Sequence, residues 1–239
     1  MQITKIIGCT LVAVTLSAVI ACASFRSTKA HVSSANIAAT HPSTTNLAHQ
    51  SHNQDRVSYL SPKLNAEKDD EREAAQRELI MLAHRSAADR DEIIRGLLKD
   101  VEAHDELDGR HAVLAKTFYY WFSVTKIFSE LKATEAIDSM IRCIHCGNGY
   151  SGSFGDWPAF DALQNLGRLA VPKLSHALTI QPDEYVRSQV ALCLGTIGGD
   201  EAERALRQAR RTETSKDVLN SIKRGLATIE NERRARASL

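Results

Sequence analysis

The chain has 239 residues, 25% charged and 43% hydrophobic, with 30 Lys and Arg against 29 Asp and Glu. A length of this order holds one domain and a tail, and the apolar share excludes a wholly disordered chain. A charge balance near zero argues against non-specific nucleic-acid binding, which needs a basic surface to displace counterions, so no nucleic-acid partner is expected.

The first predicted element is a leader over residues 1–21. Lys5 is the only charged residue before Cys22, and Ile6 to Ala21 is an uncharged apolar run. That run is short for a membrane span and suits a signal sequence. Val19-Ile20-Ala21-Cys22 resembles the bacterial lipobox. The resemblance implies cleavage before Cys22, lipid on its sulfur, and a protein anchored to a membrane of the bacterial cell envelope. More than one acyl chain is needed for stable anchoring, and the lipoprotein pattern supplies them. Two rivals remain open: cleavage after Ala23, which would give a secreted or periplasmic protein, and an uncleaved anchor.

Residues 22–62 are expected to form a disordered tether behind the lipidated Cys22, and residues 63–239 a folded body. The tether is rich in Ser and Thr and has no sustained apolar period, so it cannot bury enough surface to offset its ordering entropy. Forty flexible residues reach about 35 Å. His31, His41, His49 and His52 are scattered through it and are read as solvated.

Helical periodicity begins near Asn65. An acidic first turn (Glu67, Asp69, Asp70, Glu71) precedes Leu79, Leu82 and Ala83, as a helix N-terminus favours. Asp89 to His104 carries Ile93, Ile94, Leu97, Leu98 and Val101 on one face. Asp108 to Lys132 reads as one long apolar helix or two, and Thr134 to Ile144 as another. The run Phe118 to Phe122 has strand-like composition, but both flanks are helical. No convincing strand is found.

The C-terminal third repeats. At an offset of 28, Trp157–Leu178 lies over Tyr185–Leu206, setting Ala162 on Val190, Leu166 on Leu194, Gly167 on Gly195 and Leu178 on Leu206. At an offset of 32, Val190, Leu194 and Ile197 fall on Ile222, Leu226 and Ile229. At 66 upstream they fall on Val124, Phe128 and Leu131. A period near 30 with two helices per unit is the signature of an α-solenoid, whose hairpins must stack to cover their apolar faces. The stretch Tyr185 to Leu206 carries Val-Arg, then Ala-Leu-Cys-Leu-Gly-Thr-Ile-Gly, then Asp-Glu-Ala and a final Ala-Leu. It resembles the HEAT-like repeat named after phycobiliprotein lyases. The resemblance implies an all-α fold, an α-solenoid of HEAT-like helical hairpins, with an irregular central insertion where aromatics and a Gly-rich loop replace the repeat between 118 and 155. It is nearly silent on activity, since solenoids host many functions.

Candidate chemistry is sparse. Cys143-Ile-His145-Cys146 is open to three readings: a disulfide or structural thiols in an oxidising compartment, a redox pair lacking the usual βαβ setting, or half of a metal site with His145. Gly147-Asn-Gly149-Tyr-Ser-Gly152 spells a dinucleotide fingerprint, but it follows a helix instead of a strand. It reads instead as a loop between repeats, and Tyr150, Phe154 and Trp157 as aromatic anchors for a partner. Arg187, Gln189 and Thr196 on one first helix, and Lys223 and Arg224 on the next, are expected to border the same concave face. The arginines of 204–211 and 233–236 are interleaved with acids and read as solvated.

The expectation is therefore a non-catalytic, envelope-tethered scaffold or adaptor that binds an unidentified protein and needs no cofactor. The alternatives are a small-molecule or metal-binding solenoid using Cys143 and Cys146, and a HEAT-fold enzyme of the lyase type.

Overall fold

The apolar spacing of the body is resolved into helices in the computed structural model, which describes residues 53–105, 118–144 and 157–238. Chain contacts divide the protein into Met1–His41 and Pro42–Leu239, and all the described residues belong to the second unit. Helix α1 covers residues 53–60 and runs into a 3₁₀ turn, Ser61–Asn65. Then come α2 (Asp69–Ala83) and α3 (Ala87–Asp105). Helix α4 (Phe118–Glu130) is followed by a 3₁₀ turn, Thr134–Ala136, that leads into α5 (Ile137–Arg142). The last five helices are α6 (Pro158–Leu166), α7 (Val171–Ile180), α8 (Glu184–Ile197), α9 (Gly199–Ala209) and α10 (Lys216–Ala237). No strand occurs among the described residues; the fold is all-α, and the aromatic run at 118–122 lies on a helix.

Local signals account for several boundaries. Proline sits in the first turn of α6 and of α7, where its missing N–H is no loss. Asp183 caps α8 by accepting from the backbone N–H of Tyr185 at 2.8 Å, a cap worth about 1 kcal/mol. Gly167 and Gly198 end α6 and α8 at φ of 58° and 69°, the left-handed region where a side chain is strained.

The helices pack in two rows. In the first, α2, α4, α6, α8 and α10 each lie against the next, and in the second α5, α7 and α9 do the same. Within the first row neighbours run in the same direction. Arg72 of α2 lies over the Tyr119 ring of α4, and one turn later Gln76 donates to Ser123 at 2.9 Å. Ser215, just before α10, donates to Glu184 at the start of α8 at 2.8 Å, and further along Gly195 meets Gly225. One core runs between the rows, through Leu79, Leu97, Phe128, Met140, Leu163, Leu174, Leu194, Leu206 and Ile222, all fully buried. Arg90 of α3 ties the rows by donating to the carbonyls of Leu131 and Lys132 just beyond α4.

Two sequence expectations are corrected. The tether was expected to reach residue 62, but residues 53–62 are helical, and Val57 and Leu60 are 3% and 2% exposed. Val57, Leu60 and Leu64 form a stripe at i, i+3 and i+7, too short to stand out among Ser, Asn and Asp. The repeat alignment also paired Gly167 with Gly195. Gly167 ends its helix, whereas Gly195 lies inside α8, which closes three residues later at Gly198. The paired apolar positions still agree: Ala162 and Val190, Leu166 and Leu194, and Leu178 and Leu206 are all buried.

Gly195 instead serves contact. A Cβ there would fall inside the contact distance of the Gly225 backbone, and a Cβ on Gly225 would stand 2.8 Å from the Ala191 carbonyl oxygen. Helices α8 and α10 therefore touch backbone to backbone.

Candidate functional site

Three neighbouring helices of the first row each turn one polar stripe away from the core. On α10 the stripe is Asp217, Asn220, Arg224 and Thr228; on α8 it is Tyr185, Gln189, Leu192 and Thr196. Steps of three and four residues keep each set on one helix face. Trp157, Phe160, Asp161 and Gln164 complete the third side at α6. Together they line an open groove of about 800 Å³.

One end of this groove is aromatic. Trp157 meets Phe160 edge-to-face, with centroids 6.4 Å apart, and lies 6.3 Å from the Tyr185 ring. Such pairs contribute about 0.5–1.5 kcal/mol beyond burial. Burial pushes the Tyr185 phenol above its ordinary value, against a hydrogen bond with Gln189 that lowers it, so at neutral pH it is an uncharged donor and acceptor. Gln189, Ser188 and Ser221 form a covered floor, each 8% exposed. Asp217, Asn220 and Arg224 stand exposed above it, and their side chains have no hydrogen-bond or ion-pair partner among the described residues. An aromatic wall beside convergent, unsatisfied polar groups is the usual make-up of a ligand site.

Trp157 lines this groove, as do Gln189, Thr196 and Arg224, whereas the neighbouring Lys223 does not. Cys22, His145, Cys146, Tyr150 and Phe154 lie outside the described residues, as does the leader. Cys143 closes α5 and is 6% exposed. Cys193 is fully buried, and its thiol is pushed far up by desolvation. No group of three or more His, Cys, Asp or Glu placed to hold a metal occurs among the described residues. No described helix is long and apolar enough to cross a membrane.

Arg187 requires correction as a partner-binding residue. Its guanidinium holds Glu213 at 2.8 and 3.2 Å and donates to the carbonyls of Gln181 and Pro182 at 2.7 and 3.0 Å. It is spent on closing the α7–α8 and α9–α10 turns together, with side-chain exposures of 15% for Arg187 and 9% for Glu213. Several arginines near the C-terminus are likewise balanced by acids, Arg207 by Glu203, Arg233 by Glu203 and Glu230, and Arg234 by Glu230, whereas Arg204 donates to the Asp200 carbonyl.

The Arg187 bond, aided by the N–H groups of Thr214 and Ser215, holds the Glu213 carboxyl below the usual carboxylate range. A depressed carboxylate contributes stability above its unfolded pKa of about 4.3 and loses it as pH falls through the lower folded value. Arg187→Met is therefore expected to cost about 2 kcal/mol at pH 7. The difference from wild type should shrink as pH falls below about 4. Urea unfolding at pH 7 and at pH 3 checks both; an equal loss at the two pH values would mean that the guanidinium acts through packing alone.

Sequence reading missed Asp217, Asn220 and Gln164, because a polar stripe opposite an apolar one looks the same whether it faces solvent or a ligand. No protein-family model matches this chain, and comparison with curated proteins likewise finds no match.

Proposed function

We propose that the body is a HEAT-like α-solenoid, tethered to the bacterial envelope by lipid on Cys22, that binds a segment of another protein without catalysis. The observation carrying this reading is the groove of α6, α8 and α10, with its aromatic end and its three polar side chains lacking partners among the described residues. The two rows of alternating helices support the solenoid, in which each hairpin contacts chiefly its neighbours. The lipobox resemblance of Val19-Ile20-Ala21-Cys22 supports the anchor. Tyr150 and Phe154, close before Trp157 in sequence, are proposed as further partner-binding residues.

The test is capture of envelope proteins by the immobilised protein. Trp157→Ala is expected to reduce retention of a specific partner at least tenfold, as loss of an aromatic hot spot of about 2 kcal/mol does. Asn220→Ala, exposed and unpartnered, should weaken retention while leaving the melting curve alone. Retention unchanged in both variants would remove the groove as the binding site. Fatty-acid labelling lost in Cys22→Ser checks the anchor in the same cells.

A further inference from the structure

We infer that the groove recognises the carboxyl-terminal tail of its partner: Arg224 takes the terminal carboxylate, Asn220 an adjoining peptide group, and the aromatic cluster a side chain about four residues upstream. This rests on the reading that the groove binds a protein segment, and it specifies which segment.

Charge comes first. Arg207, Arg233, Arg234 and Arg236, on the same two C-terminal helices, each reach a glutamate. Arg224 faces the groove with no acidic partner among the described residues. A guanidinium offers a planar pair of N–H donors that matches a carboxylate in bidentate fashion. An internal chain segment, passing over the same site, would offer that charge only neutral carbonyl oxygens and no opposite charge, the weaker of the two pairings.

Spacing comes second. Gly195 lies against Gly225, so Arg224 stands level with the later part of α8, about two and a half turns beyond Tyr185. At 1.5 Å per residue this separates the guanidinium from the aromatic cluster by about 10–14 Å along the helices. An extended chain advances about 3.3 Å per residue, so about four residues join the two places. Asn220 lies one turn before Arg224 on the side towards the aromatic cluster. Its amide, both donor and acceptor, complements one peptide group.

Asp217, two turns from Arg224 on the same stripe, has the opposite charge and no partner among the described residues. It repels a carboxylate from that end and favours a basic side chain about three residues before the terminus. Successive side chains of an extended chain point to opposite sides, so an apolar residue can enter the aromatic cluster while its neighbour turns to Asp217. A fatty carboxylate would satisfy Arg224 too, but its alkyl chain would cover Asn220 and Gln189 without hydrogen bonds.

The experiment uses the full-length protein and a pool of N-acetylated hexapeptides randomised at all six positions, offered once as free acids and once as carboxamides. Wild type is expected to retain the acids at least tenfold better than the amides. Arg224→Gln, a change at an exposed residue, should lower the acids to the amide level. Equal retention of both pools, or a preference that survives Arg224→Gln, overturns the inference. If that equal retention is still lost in Trp157→Ala, segment binding by the groove stands and only the recognition of the terminus falls. If neither pool is retained, both fall. Laurate displacing the acids as well as an acid peptide does would show an amphiphile site and also overturn it.

Discussion

Gly195→Ala is expected to lower the melting temperature by about 6–12 °C, the consequence of losing about 3 kcal/mol in a body of this size. By propensity alone the change should help, since alanine is favoured over glycine inside a helix by about 1 kcal/mol. The added methyl, however, would collide with backbone, at Gly225. A side chain can rotate away from a collision, but a helix can only be displaced as a whole. Such displacement opens the buried seam around Val190, Leu194 and Ile222. Gly225→Ala should behave alike, its methyl meeting the Ala191 carbonyl oxygen. Gly167→Ala is the contrast: nothing lies within 4 Å of the added carbon, and only the positive φ opposes it, at about 1–2 kcal/mol. Thermal melts of the three variants check the ranking. A Gly195→Ala protein as stable as wild type would show that α8 and α10 do not touch.

Leu60→Ala should cost about 3 kcal/mol, although Leu60 falls in a stretch whose composition reads as a tether. The side chain is 2% exposed and packs in the main core cluster with Val57 and Leu64. Hydrogen bonds hold the same segment: Ser123 donates to the Leu64 carbonyl at 2.9 Å, and the Tyr120 N–H donates to the Asn65 side chain at 3.2 Å. Tyr59, the adjacent residue, is 54% exposed and touches the surface cations Arg56 and Lys63, and Tyr59→Ala should cost about 1 kcal/mol or less. Urea denaturation of the two variants separates the possibilities. Equal, negligible effects would return residues 53–62 to the tether.

These two cases show where the sequence is informative. The apolar faces of α3 and α8 were legible because several large residues recur at helical spacing, as with Ile93, Ile94, Leu97 and Val101. The Val57, Leu60 and Leu64 stripe gives only three such residues, below what periodicity can distinguish from chance. Glycine is ambiguous in another way. The same residue serves left-handed backbone at Gly167 and helix contact at Gly195, and only the neighbour thirty positions on decides between them. Arg187 looked available because its acceptor, Glu213, is separated from it by a whole helix and two turns. Trp157 stood out from its place beside a Gly-rich stretch, and it lines the groove. Asp217 and Asn220 became candidates only when three helices placed their stripes side by side.

The meeting of α8 and α10 through their backbones also has a mechanical consequence. On that side the groove is bounded by a joint with little give, because at Gly195 and Gly225 no side chain stands between the two helices to change rotamer. On the other side α6 faces α8 through the rings of Trp157, Phe160 and Tyr185, whose side chains can change rotamer. The groove thus has one wall that cannot yield, and the α8 and α10 stripes keep a constant spacing there. Under the function proposed above, strictness about polar spacing belongs to the glycine seam, and choice among side chains to the aromatic end.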